Sequence, residues 1–446
     1  MFRYLLFLWL GLMPFLAVAQ TAFTADEAID YALKHNPSIK SSALGISDAQ
    51  LQIKEIKAAG LPQISGQFQY TYNAIVPSQL LKAKNFDPEA VEGELVKFQF
   101  GIPWGGQMSI GFNQLIYDAS WVVGLKAAKT YMEFANQNQE QSIISLAVVV
   151  KKAYYSVLVA EERAKVLDLN ASRLDSLYRE ISILNAQGFA EKLDLDRLKV
   201  QQYNLETERQ KVKNLIELTY QLLKFQMGYD LNQELTLKDK LDDVSIEEFK
   251  LLIAQTLKPE NRIEFKILQT QRKLLEFSVD RYKKAAYPTL FFSGNIGLGH
   301  SNVRFNPFER WFPSSAISIG ANIPIYSSGL QRIKIDRERL NLKKLEYGEE
   351  MMLQGFQLEN DQAIIGIKNG LQALETQKRN LDLANEIVRV TKIKYSSGIG
   401  SNLELVNSES ELKQAQTNYF AALYDVIISK IDFDKAQGKL LPSNIK

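Results

Sequence analysis

Between residue 20 and Leu441 proline is confined to two clusters, and their placement dictates the chain's internal organisation. Pro37, Pro62, Pro77, Pro88 and Pro103 precede a Pro-free stretch from Trp104 to Lys258, and Pro259, Pro288, Pro307, Pro313 and Pro324 precede another from Ile325 to Leu441. Proline lacks a backbone N–H and clashes with the preceding helical turn, so each half reads as a short irregular or strand region feeding a long helical one. The halves align at their junctions. Phe112-Asn-Gln-Leu-Ile-Tyr-Asp118 matches Ala321-Asn-Ile-Pro-Ile-Tyr-Ser327 at an offset of 209 residues. Gln187 to Leu195 matches Ser397 to Leu405, and Gly228 matches Gly438, both at 210. The expected layout is a leader at 1–19, a first repeat at 20–228, a connector at 229–258 and a second repeat at 259–446. Each repeat carries a hairpin, at about 62–117 and 288–326, followed by helices at about 120–228 and 328–438.

The leader is read from Arg3, an apolar run from Tyr4 to Val18 and the small-residue spacing Ala17-Val-Ala19 before Gln20, the marks of a cleaved signal peptide. The chain has no cysteine, which excludes disulfides, thiolate metal sites and lipid anchoring through an N-terminal cysteine. Lys and Arg total 53 against 51 acidic residues, a balance that gives no reason to expect nucleic acid as a partner. After residue 19 the longest apolar run, about Ile143 to Val150, is far short of a membrane-spanning helix, so membrane insertion is expected to use strands.

Four segments carry that strand signal. From Gln63 to Asn73 the odd positions are all polar, while the even ones are Ile64, Gly66, Phe68, Tyr70 and Tyr72. From Phe98 to Asn113 the even positions are again apolar, apart from Gly106, and the odd ones are Gln, Gly, Pro, Ser or Asn. The second half repeats the alternation at Leu290, Phe292, Ile296 and Leu298, and at Ile317, Ile319, Ala321 and Ile323. A period of two with an apolar outer face and uncharged polar residues inside suits a lipid-facing barrel strand with a wet lumen. A soluble sheet with one buried face would need a covering layer, and no further strand or short amphipathic helix is expected to supply one. Bacterial barrels begin at about eight strands, so two hairpins per chain imply that several chains share a barrel.

The helical parts carry heptads. Leu405, Leu412, Tyr419, Val426 and Phe433 recur every seventh residue, as do the smaller Ser408, Ala415, Ala422, Ser429 and Ala436. Alternating large and small core positions let neighbouring helices interdigitate closely. Leu167, Leu174 and Ile181, and Leu374, Leu381 and Val388, keep the same spacing in the preceding segments, so each half runs out and back, turning at Gly188 and Gly398.

The opening Phe23-Thr-Ala-Asp-Glu-Ala-Ile-Asp-Tyr-Ala-Leu-Lys-His-Asn-Pro37, the joints ending in Ile-Tyr, and Tyr395-Ser-Ser-Gly398 followed by Ser401-Asn-Leu-Glu-Leu-Val406 together resemble the TolC-type outer-membrane efflux proteins, from about Phe23 to Gly438. The resemblance implies a mixed α+β membrane protein. Three copies would each give four strands to one twelve-stranded outer-membrane β-barrel, continued by an α-helical coiled-coil tunnel in the periplasm. The implied function is the passive outer-membrane channel of a tripartite efflux or type I secretion system. Its implied partners are a periplasmic adaptor (membrane fusion) protein, an inner-membrane RND or ABC transporter and outer-membrane lipid. A trimeric stalk or adhesin anchored by a barrel is the competing reading, against which the doubled out-and-back course weighs.

By the same resemblance, the family's periplasmic constriction matches Glu404, with Asn407 where a second acid stands in the family pattern and with Asp194 and Arg197 as their counterparts in the first repeat. The turns Gly188-Phe189-Ala190 and Gly398-Ile399-Gly400 match the hairpin tips at which an adaptor docks. Ser401-x-x-Glu404 is equally a capping box, and the two roles are compatible. Thr24-x-x-Glu27 reads as a cap opening the first helix. The two histidines, His35 and His300, are expected at solvated segment ends without a second ligand nearby, and no catalytic, cofactor or metal site is expected.

Overall fold

The computed structural model describes residues 22–99, 101–241, 249 and 256–440. The expected leader, Phe100 of the strand pattern, residues 242–248 and 250–255 of the connector and Pro442 lie outside them. The chain packs as two compact units. Among the described residues one is built from 22–45, 136–267 and 348–440 and the other from 46–135 and 268–347, so each draws on both repeats.

In the first unit, helix α1 (Ala25–His35) opens on a reciprocal cap: Thr24 Oγ1 accepts from the Glu27 N–H at 3.2 Å and the Glu27 carboxylate accepts from the Thr24 N–H at 2.8 Å. Strand β1 (Ala22–Phe23) pairs in parallel with β6 (Thr236–Leu237) of the connector. The Asp239 carboxylate accepts from the Ala25 N–H, and the Tyr154 hydroxyl donates to the Phe23 carbonyl. The Pro-free stretches form α3 (Ala119–Ala186) and α4 (Lys192–Met227) in the first repeat, and α6 (Leu330–Ser396) and α7 (Asn402–Ala436) in the second. At 1.5 Å per residue the 68 residues of α3 extend about 100 Å.

The heptads predict the core. Leu405, Leu412, Val426 and Phe433 are fully buried, the smaller Ser408, Ala415, Ala422 and Ala436 are also buried, and Tyr419 packs against the cluster that holds Val426 and Phe433. Leu167, Leu174, Ile181, Leu374 and Val388 are buried as well, with Leu381 at the margin. One helix corrects the expectation that no segment has the length and composition of a membrane-spanning helix. An 18-residue window of α3 has a mean hydropathy of 1.7 and is by length and composition apolar enough to cross a membrane, although its longest uninterrupted apolar run is short. Half of that window is buried in the protein, where Val150, Tyr154 and Val157 join the core.

Two glycines set the repeat ends. Gly228 (φ +66°) and Gly438 (φ +68°) close α4 and α7 in the left-handed conformation, and an added Cβ would lie 2.8 Å from Asn36 Cα in the first case and 2.9 Å from the Asn261 carbonyl in the second. Asn36 also donates to the Gln226 carbonyl at 2.7 Å, so each repeat begins against a notch at its own end. Near the second notch, buried Arg262 pairs with Glu359 at 2.6 Å and Glu264 at 3.2 Å and lies 3.9 Å from the Phe356 ring centre. Burial opposes ionisation of Glu359, but hydrogen bonds and charge from Lys435 and Arg262 outweigh it and hold the carboxyl below the usual carboxylate range.

The second unit is organised by an antiparallel sheet in the order β2 (Gln63–Tyr72), β5 (Trp104–Tyr117), β7 (Thr289–Asn302), β8 (Phe312–Asn322). The central β5–β7 pair joins the two repeats and runs from Trp104↔Asn302 to Tyr117↔Leu290 with an irregularity at Leu115/Tyr117. Register places Ile64, Phe112, Gly294 and Ile317 in one cross-strand row and Gln67, Ser109, Gly297 and Ser314 in another, so the two periodic faces persist across the sheet. None of the four strands contains Asp, Glu, Lys or Arg. The apolar face is uncovered in the single chain: Ile64, Phe68, Ile110, Ile296, Ile317 and Ile319 are all exposed.

Three expectations are corrected here. The alternation from Phe98 to Asn113 is not one strand. Gly101 (φ +121°) and Pro103 break it, and Leu95–Gln99 becomes β4, paired with β3 (Ser78–Lys82) in a separate hairpin. The Pro-containing regions are not only irregular or strand: α2 (Pro37–Ala59) and α5 (Ile263–Lys284) precede the hairpins, with Pro37 at the first position of α2, where its missing N–H has no intrahelical partner to lose. These additional helices leave the apolar face of the sheet uncovered. His300 is not solvated. It is 3% exposed, because its row neighbour Gly106 has no side chain and Trp311 and Tyr70 stack over the imidazole, 5.2 and 6.1 Å between ring centres.

Candidate functional site

The two helical turns of the first unit are built alike. Helix α3 ends on Gly188 (φ +82°), with the Phe189 N–H donating to the Leu184 carbonyl at 2.8 Å, and α6 ends on Gly398 (φ +75°), with the Ile399 N–H donating to the Lys394 carbonyl at 3.1 Å. This six-to-one bond satisfies a carbonyl the helix end leaves open and needs a residue that tolerates positive φ. It also turns the next side chain outward: Phe189 and Ile399 are each 80% exposed. The third tip residues differ. A Cβ at Gly400 would meet the Tyr395 nitrogen at 2.9 Å, whereas Ala190 packs against the apolar cluster around Leu167 and Ile181, and its carbonyl accepts from Asn185 Nδ2 at 2.7 Å.

Past the second tip, Ser401 caps α7 by accepting from the Glu404 N–H at 3.1 Å. The reciprocal arm present at Thr24 and Glu27 is not formed, which corrects the expected capping box to half of one. The Glu404 side chain is exposed, as is Asn407. Asp194 and Arg197 come together, 3.7 Å apart on successive turns of α4, yet Asp194 does not face its repeat mate. Its carbonyl and its carboxylate both accept from Asn402 Nδ2, at 3.1 and 3.0 Å, so the first turns of α4 and α7 are tied to each other. Burial raises the Tyr395 phenol above its usual range, with the charges of Asp194 and Glu180 adding to the effect.

Sequence reasoning missed the polar ties behind these turns. Arg173 of α3 pairs with Glu409 of α7 at 3.0 Å, and Asn170 donates to Gln416 at 2.6 Å. Burial raises the Glu409 carboxyl against the opposing pull of Arg173. A cavity of about 30 Å³, room for one water, is lined by Asn170, Leu174, Leu198 and Glu409 among others. Arg173 and Glu409 each flank a seam residue, Leu174 and Ser408, which is the one sequence sign that they face another helix. Among the described residues no group of three or more His, Cys, Asp or Glu is placed to hold a metal.

The model of the outer membrane efflux protein family matches residues 28–228 and again 260–439. The chain belongs to the outer membrane efflux protein family and is a protein of the outer membrane. Two curated Pseudomonas putida proteins, the antibiotic efflux pump outer membrane protein ArpC and the toluene efflux pump outer membrane protein TtgC, are each 19% identical to it, over 321 and 320 residues. These matches take in 70% of this chain and 64% of the relatives, so the chain spans somewhat less than two thirds of their length. The fold is shared with solved structures at low identity. The open-state outer membrane channel MtrE of Neisseria gonorrhoeae superposes with a TM-score of 0.71 at 15% identity, covering 93% of this chain and 89% of MtrE. VceC of Vibrio cholerae gives 0.69 at 13%, covering 93% and 96%.

Proposed function

We propose that this protein is the outer-membrane channel of a tripartite efflux or type I secretion system, a passive conduit from periplasm to exterior. In this reading three copies pair their sheets edge to edge into a twelve-stranded barrel, and their helices continue it as a periplasmic tunnel. The observation that carries it is the sheet. Within one chain the outer edges of β2 and β8 have no partner strand among the described residues, the apolar face is bare, and the strands hold no charge. An open edge and a bare apolar face are stable together only where neighbouring strands close the ring and lipid covers the outside. The helices are not a stalk run once along the chain, because they go out and return in both repeats. Energy for transport then comes from an inner-membrane RND or ABC pump through a periplasmic adaptor, which docks at the exposed Phe189 and Ile399 tips. Planar-bilayer recording of the purified protein tests the reading; single-channel steps support a conduit, and a sealed bilayer with correctly inserted trimers refutes it.

Glu404 is proposed to give one carboxylate per chain to a ring at the periplasmic entrance, with Asn407 one turn on and the Asp194–Arg197 pair behind it. Its support is an exposed carboxylate not committed to the helix cap, six residues past the tip glycine. A ring of like charges at a narrow mouth favours cations. Glu404→Gln retains the Ser401 cap, whose donor is a backbone N–H, and is expected to lower cation preference and weaken block by multivalent cations from the periplasmic side. Unchanged selectivity and block would leave Glu404 as a surface residue beside a cap.

A further inference from the structure

A cluster of cations lies just beyond the helical end of the uncharged sheet. Helix α5 stops four residues before Pro288 with Arg281, Lys283 and Lys284 in its last turn, and β7 begins at Thr289. Helix α6 brings Lys334 to the same place: two cations approach the Tyr282 ring, with the Arg281 guanidinium 5.8 Å and the Lys334 ammonium 5.6 Å from its centre. The Lys284 ammonium lies 4.9 Å from the centre of the Tyr287 ring. Among the described residues none of Arg281, Lys283, Lys284 and Lys334 has an acidic partner within ion-pair distance. Arg281 and Lys283 are exposed, and Lys284 and Lys334 are partly so.

Neutralising the negative end of α5 accounts for part of this set, since cations are favoured at a helix C-terminus. It does not account for Lys334. That residue lies in the second turn of α6, near the helix's positive end, where the same field disfavours a cation. The two tyrosines add a second sign, because amphipathic rings collect where a protein surface passes from hydrocarbon to water. An uncharged strand that starts five residues after the last lysine of α5 puts this surface at headgroup depth.

We propose that Arg281, Lys284 and Lys334, with the rings of Tyr282 and Tyr287, form a collar that binds the anionic headgroups of phospholipids in the leaflet on the helical side of the membrane. This rests on the barrel reading of the sheet. The headgroup phosphate takes the place of the missing acids, and long side chains let the ammonium groups reach it while their stems stay against the tyrosines. The collar would therefore choose among lipids by charge, a selectivity that the strands themselves cannot exercise.

The test compares the full-length protein with the triple variant Arg281→Gln, Lys284→Gln, Lys334→Gln in vesicles of phosphatidylcholine alone and of phosphatidylcholine with phosphatidylglycerol. Insertion is scored by protease protection of the strands, and bound lipid by native mass spectrometry after extraction. Both proteins are expected to insert equally into both vesicles, with the parent retaining phosphatidylglycerol about tenfold better than the variant at low salt. Phosphatidylcholine retention should be unchanged, and inorganic phosphate at the same concentration should not displace the lipid. Equal phosphatidylglycerol retention by parent and variant, or its displacement by inorganic phosphate, overturns the collar and leaves the barrel standing. Failure of the parent to insert into either vesicle overturns both.

Discussion

Helices α4 and α7 occupy the same place in their repeats, have 36 and 35 residues and start 210 residues apart, but 7 side chains are buried in α4 and 14 in α7. The duplication kept the backbone and changed what surrounds it. Helix α7 buries Leu405, Leu412, Val426 and Phe433 within its own chain, whereas α4 exposes Tyr203, Leu218, Leu222 and Phe225. A stripe at 218, 222 and 225 follows the i, i+4, i+7 spacing of a helix that packs on another. The contrast assigns α7 to the inside of the protomer and α4 to a surface that the proposed trimer would cover.

The contrast is open to direct attack. Phe433→Ala is expected to cost about 3 to 5 kcal/mol per chain in denaturant unfolding, the cost of a buried aromatic truncated in place. Leu218→Ala should leave the protomer folded and instead shift the trimer-to-monomer ratio in mild detergent. Equal losses of stability with an unchanged ratio would erase the distinction between the two helices.

The two faces of the sheet give the next largest effect. Lysine at Phe68 or Ile110 should cost about 2 to 4 kcal/mol per chain near the bilayer midplane, while lysine at Gln67 or Ser109 enters a wet lumen and is tolerated. Matching assembly yields for all four variants in refolding with lipid would contradict the assigned faces.

A smaller cost tests whether the repeat ends remain equivalent. Gly228→Ala and Gly438→Ala each place a Cβ on left-handed backbone against a neighbour less than 3 Å away, which is expected to cost about 1 to 3 kcal/mol by thermal unfolding. A loss at one position alone would show that the notches have diverged as α4 and α7 have. Smallest is a pH effect. The Glu359 carboxyl is held low in the folded protein, so its stabilising share is present above the ordinary carboxylate range and is lost as pH falls through the folded value. Glu359→Gln should flatten the acid limb of the stability profile below about pH 4.5 and leave its shape near neutrality unchanged. A parental acid limb in the variant would remove Glu359 from the linkage.

Much of the architecture was legible because two periods dominate the sequence. The seven-residue repeat from Leu405 to Phe433 reappears as the buried seam of α7, and the two-residue alternation from Gln63 to Tyr72 falls on a single strand. The alternation from Phe98 runs on across two separate strands, because it continues through Pro103, whose missing N–H interrupts pairing where the side-chain pattern does not. Helices α2 and α5 are not legible in the proline clusters, which suggest breaks, whereas Pro37 starts a helix and Pro288 follows one. At the turns, Gly188 and Gly398 were evident from residue type alone. The Asn402–Asp194 tie was not: the repeat alignment sets Asp194 against Glu404, and which residue a helix start meets depends on the rotation of its neighbour.

The apolar window of α3 bears on how the chain reaches its membrane. A protein of the outer membrane must first pass through the inner one as an unfolded thread, and a stretch that satisfies the composition of a spanning helix invites the translocation machinery to release it sideways into lipid. Lys151 and Lys152 stand at the middle of that stretch, where each lysine adds about 2.5 to 3.5 kcal/mol to the cost of residence in hydrocarbon. In the finished protein Lys152 makes an ion pair with Asp432 at 2.6 Å whose acid is two fifths exposed, a contact of small worth. Lys152 therefore contributes more to the journey than to the destination, and a precursor with leucine at both positions is expected to fractionate with the inner membrane.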